Sequence, residues 1–116
     1  MHLERRRKRS NFSGLALSYW FSAIARRTQL FGLVLADSAG FLVASNLRGP
    51  EAEELAAIAP LIARPDYNPP GEVPMSVRDM HVDRTKLFLA AVGRSERAVS
   101  ALDLAESGVM RILMTH

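Results

Sequence analysis

Apolar residues fall along this chain in two short paired runs and three longer helical stripes. Phe31 to Ser45, FGLVLADSAGFLVAS, holds two apolar runs around Asp37-Ser38-Ala39-Gly40. Aspartate favours the first position of a tight turn because its carboxylate accepts from amides further on, and glycine supplies the positive φ that returns the chain antiparallel. Leu33, Leu35, Phe41 and Val43 share one parity and Val34, Ala36, Leu42 and Ala44 the other, and all eight are apolar. Both faces of this hairpin are therefore expected to be covered, as in central strands beneath helices.

The flanking segments read as helices. From about Ser13 to Arg27, Leu17, Phe21 and Ile24 recur at spacings of four and three, with Trp20 beside them as a residue expected to pack against a sheet. Asn11 or Ser13 suits the N-cap, and Arg26 and Arg27 suit the last turn. After a loop over Asn46 to Gly49, Pro50 opens a second helix, with Glu51, Glu53 and Glu54 at the positive end of its dipole. Its stripe is Leu55, Ile58, Leu61 and Ile62, and Pro60 should kink or end it by removing the bond to the Ala56 carbonyl.

Residues 64–74 carry four prolines and a glycine and are expected to form a mobile loop. Met75 to Val82 reads as a strand in which Met75 and Val77 have one parity and Met80 and Val82 the other. A bulge near Arg78-Asp79 would restore a single apolar face. Asp83-Arg84-Thr85 makes a turn and Lys86 to Val92 a strand covered on both sides, so a second hairpin is predicted. Ser95 is a suitable N-cap for a third helix, whose seam is Ala98, Leu102, Ala105, Val109 and Ile112. Gly108 costs that helix about 1 kcal/mol in propensity, so a packing reason is expected for it.

Charge divides the chain unevenly. Arg5, Arg6, Arg7, Lys8 and Arg9 stand against Glu4 alone, which leaves ten basic and eleven acidic residues for the remainder. The expected organisation is a basic arm at 1–10 followed by one domain at 11–116. Such a cluster binds nucleic acid or an anionic membrane surface through non-specific electrostatics, and it also serves as a solvated tail. No aromatic interleaving or second basic patch supports base contact, so nucleic acid is not expected as the main partner.

Candidate chemistry is sparse. There is no cysteine, and His2, His81 and His116 are scattered without metal-ligand spacing. No phosphate-binding glycine motif or nucleophile elbow occurs, and Ser38 in the hairpin turn has no activating context. The three glutamates near Pro50 read as dipole compensation. No catalytic residue, cofactor or metal is expected, and no enzyme. The basic cluster is not followed by a signal-peptide core, and no apolar run approaches the roughly 20 residues of a membrane span, so the cytoplasm is the expected location.

In the order helix, hairpin, helix, loop, hairpin, helix, the chain resembles the roadblock / dynein light chain superfamily from about Phe12 to Leu113. The residues that carry the resemblance are the GLVLADSAGFLVAS hairpin, the AEELAAIAPLIA helix and the terminal GVMRIL. The resemblance implies an α+β fold of profilin-like or roadblock-like type, with helices on both faces of a five-stranded antiparallel sheet. It also implies a non-catalytic homodimer or heterodimer, meeting through the middle helix and an edge strand, that scaffolds or regulates a small Ras-like GTPase. On that helix Glu54, Ala57 and Leu61 fall on one face and are the expected partner interface. Two strands rather than the family's three lie between the second and third helices, so the missing one would sit in the proline-rich segment or be lost. The alternatives are nucleic-acid or membrane binding through Arg5 to Arg9, and a small-molecule sensor on the same fold.

Overall fold

A computed structural model describes residues 2–67 and 74–114, with side chains described from residue 13 onward. Its elements are α1 (His2–Thr28), β1 (Gly32–Asp37), β2 (Leu42–Ser45), α2 (Pro50–Ile62), β3 (Met75–Val82), β4 (Thr85–Val92) and α3 (Ala98–Met114). The fold is α+β: a four-stranded antiparallel sheet in the order β2-β1-β4-β3, with helices on both faces. Each hairpin pairs locally, and the two are joined where β1 runs against β4 from Gly32↔Val92 to Asp37↔Leu87. The five-stranded sheet implied by the resemblance is thus four-stranded among the described residues. Most of the proline-rich segment, at 68–73, lies outside them.

The sheet divides two apolar layers. On one side Leu17, Phe21 and Ile24 of α1 and Leu102, Ala105 and Val109 of α3 cover Leu33, Leu35, Leu87, Leu89, Met80 and Val82. On the other, Ala56 and Ala59 of α2 cover Val34, Ala36, Phe88, Ala90 and Val92, with Leu47, Leu55, Met75 and Val77 at the margin. The first layer interlocks large side chains. The second is built mostly of small ones.

β3 carries no bulge. Its register against β4 is regular from Met75↔Val92 to Val82↔Thr85, contrary to the defect expected at Arg78-Asp79. Met75 and Val77 lie in the α2 layer while Met80 and Val82 lie in the α1–α3 layer, so the parity change reflects a strand whose two ends serve different cores. A register irregularity falls instead in the first hairpin, where Leu35 pairs with Ala44 but Ala36 with Leu42.

The first hairpin is covered on both faces only along β1. β2 is an edge strand on which Leu42 and Val43 are exposed, as is Phe41 just before it, which corrects the reading of both strands as central. The Asp37 carboxylate accepts from the Ala39 and Phe41 amides at 3.0 and 2.9 Å, and Gly40 has φ 87°. Beyond Ala44, side chains continue the pairing of β1. Ser45 Oγ donates to the Leu33 carbonyl, and the Leu33 amide donates to Asn46 Oδ1.

α1 begins at His2 rather than at Ser13, so the basic cluster occupies its first turns and the proposed caps Asn11 and Ser13 lie within it. At the other end Gln29 adopts φ 60° and the Leu30 amide bonds back to the Ala25 carbonyl, the pattern usually completed by glycine. Ser95 Oγ donates to the Thr28 carbonyl and accepts from the Arg97 amide, and Arg97 donates to the Arg27 carbonyl. The start of α3 thereby caps the end of α1. Trp20 packs at the margin of the α1–α3 core and is held by α3. Its Nε1 donates to the Leu104 carbonyl at 3.1 Å, the Arg111 guanidinium sits over its ring, and the ring occupies the space a Cβ on Gly108 would need.

Candidate functional site

α2 rests on the sheet through Ala52, Ala56 and Ala59, which are all buried. The spacing that buries those three turns Glu54, Ala57 and Leu61 outward, and all three are exposed. Gly49 at φ 71° leads into Pro50, whose missing amide costs nothing at the first helical position, and Glu51 and Glu53 occupy the first turn. Pro60 stands two residues before the helix ends at Ile62, so its missing hydrogen bond falls where the helix is finishing.

The exposed face of α2 closely approaches the turn of the first hairpin at Gly40. A Cβ on Gly40 would lie 3.2 Å from Ala57 Cα, a tight contact at a residue whose φ of 87° already disfavours a side chain. The next residue, Phe41, is 71% exposed, and Leu42 and Val43 follow it along the sheet edge. Ala57 and Leu61 of α2, with Glu54 beside them, form the exposed face that the hairpin turn reaches at Gly40. Phe41, Leu42 and Val43 escaped a reading of the sequence because an apolar strand looks the same whether a second strand covers it or not. The one available signal is the brevity of the run between Gly40 and the polar Ser45-Asn46 pair.

The remaining sequence candidates are dispersed. Arg5 to Arg9 lie in the helical backbone of α1, and their side chains are outside the described residues. Glu51 and Glu53 are exposed, Ser38 is exposed in its turn and His81 is exposed on β3. Among the described residues no group of three acidic or histidine side chains is gathered as a metal would require.

At the opposite edge of the sheet, Arg78 of β3 donates to Asp103 at 2.6 Å and to Glu106 at 3.1 Å, both on α3. The hydrogen bond to Asp103 is the main reason its guanidinium is held above its already high range. Lys86 pairs with Asp79 at 3.7 Å and lies over the Phe88 ring. Arg78, Asp79, Lys86 and Phe88 line an open groove along β3 with Val77, Val99 and Leu102. Its charges are already matched to one another, so it offers a ligand no convergent unpaired group.

A sheet in this order, with one helix behind it and two in front, is a roadblock-like α+β fold. A solved structure of similar fold is that of Myxococcus xanthus MglB, at TM-score 0.54 and 14% sequence identity, covering 85% of this chain and 88% of that one. The likeness is one of fold. No protein-family model matches the sequence, and no curated protein matches it.

Proposed function

We propose that this chain is a non-catalytic module that dimerises through the outward face of α2 and serves as a scaffold or regulator of a small Ras-like GTPase. The observation that carries this reading is the exposed set Glu54, Ala57 and Leu61 on one face of α2, reached by the hairpin turn at Gly40. Exposed apolar residues gathered on one helix face are characteristic of contact sites. A roadblock-like fold supports the reading by analogy, since the roadblock resemblance implies dimers and GTPase partners. Small residues near the centre of the face, such as Ala57, let two helices approach closely across a two-fold axis.

Sedimentation equilibrium tests the dimer. The wild-type chain is expected to be dimeric at micromolar concentration. Ala57→Glu should give a folded monomer, because it sets two like charges opposite each other. A wild-type chain that stays monomeric at every concentration would overturn the dimer. The partner is tested by capture from native lysate with added GDP or a non-hydrolysable GTP analogue, where a Ras-like GTPase retained in one nucleotide state is expected.

A further inference from the structure

A helix lying on a protein surface ordinarily carries charge on the side turned away from the core. α1 does not. Opposite the buried Leu17, Phe21 and Ile24, Leu15 is 54% and Tyr19 is 70% exposed, and Ala16 and Ala23 are exposed beside them. No charged residue occurs between Arg9 and Arg26. Steps of four place Leu15, Tyr19 and Ala23 along one line, and exposed Arg26 continues it. Neither Leu15 nor Tyr19 belongs to either apolar core.

This uncharged line is bracketed by cations. Arg5, Arg6, Arg7, Lys8 and Arg9 precede it in the same helix, and Arg26 and Arg27 follow it in the last turn. At 1.5 Å per residue, Arg9 and Arg26 lie about 25 Å apart. The N-terminal cations oppose the helix dipole, which is positive at that end, so these turns are electrostatically unfavourable in isolation. An anionic surface alongside the helix would offset that repulsion and also cover the apolar line.

We propose that α1 lies in the plane of an anionic lipid bilayer, with Leu15 and Tyr19 at the level of the headgroups and the flanking arginines and lysine on lipid phosphates and carboxylates. Apolar and aromatic residues on one side with cations at the ends is the arrangement that lets a helix rest in an interface. Tyrosine suits that depth because its ring is apolar and its hydroxyl stays wet. Duplex nucleic acid would call for cations along the line and not only at its ends. The helix would rest on the bilayer, since no helix among the described residues is long and apolar enough to cross one. α2 is then left on the far side of the sheet, turned away from the lipid.

Vesicle flotation of the full chain tests this. Flotation is expected with phosphatidylcholine vesicles containing about 30% phosphatidylserine, but not with phosphatidylcholine alone, and it should be lost in about 0.5 M salt. Replacing Arg5, Arg6, Arg7, Lys8 and Arg9 together by glutamine should lower partitioning at least ~100-fold, at roughly fivefold per cation. Leu15→Glu with Tyr19→Glu should lower it at least ~10-fold with the circular dichroism unchanged, because both side chains are exposed. If that pair disturbs folding, Leu15→Gln with Tyr19→Gln takes its place. The proposal is overturned by no flotation on the anionic vesicles, by equal flotation on neutral ones, or by undiminished flotation of the folded Leu15/Tyr19 variant. Tighter binding to a duplex oligonucleotide at the same salt would also overturn it, assigning the cations to nucleic acid. So would a change of sedimentation mass in that variant, which would make the line a contact between chains. None of these readouts depends on α2, so a failed dimer and a failed membrane contact are distinguishable.

Discussion

A methyl group at Gly108 would stand 1.9 Å from Trp20 Nε1, closer than non-bonded heavy atoms can remain. Alanine is the better helix former by about 1 kcal/mol, yet here it would drive the indole from its hydrogen bond to Leu104 and from beneath Arg111. Gly108→Ala is therefore expected to destabilise by about 1–3 kcal/mol, the usual cost of overpacking, and to shift Trp20 emission to the red. Denaturant titration followed by fluorescence reads both effects. Gln29 should behave in the opposite sense. It holds φ 60° at the end of α1, where glycine is unstrained, so Gln29→Gly is expected to raise stability by up to about 1 kcal/mol in the same titration. Periodicity pointed to a packing reason for Gly108 but not to Trp20 as its partner, because the contact depends on how α1 and α3 cross.

Single elements carry two further predictions. Gly40 combines φ 87° with the 3.2 Å approach to Ala57 Cα, so Gly40→Val should cost at least about 1 kcal/mol, with a lower thermal midpoint. An unchanged midpoint would mean that the turn tolerates a branched side chain and that α2 moves aside at little cost. Arg78 joins β3 to α3 through two carboxylates, with its side chain 28% exposed. Arg78→Met keeps much of the aliphatic stem and removes the ion pairs. A loss of about 0.5–1 kcal/mol is expected from chemical denaturation, since pairs this open to solvent are well screened. The boundaries of β3 and the turn chemistry of Asp37 and Gly40 were legible in the sequence because each depends on neighbours along the chain. The bulge was misread because one apolar face was assumed for β3, while Met75 and Met80 answer to different layers.

At the scale of the whole molecule, the layered α+β plan was legible and the sheet order was not. Alternation shows that β1 and β4 are apolar on both sides, but their pairing spans the whole of α2 and the proline-rich segment, and no local signal records it. The exposed surface of β2 was hidden for the same reason, since an edge is defined by what fails to pair with it. The two layers also differ in what holds them. Behind the sheet α2 is seated on Ala52, Ala56 and Ala59, while in front α1 and α3 interlock through Leu17, Phe21, Leu102 and Val109 and share the caps at Thr28 and Arg27. Buried alanines withdraw little apolar area from water, so α2 is the layer that can separate at least free-energy cost. In native-state hydrogen exchange the α2 amides should exchange through a sub-global opening, well before those of Phe21 and Val109, which should exchange together as one cooperative unit. The surface assigned to partners would then belong to the least protected helix, and a bound partner would register as a selective slowing of α2 exchange, with the α1–α3 amides unaltered.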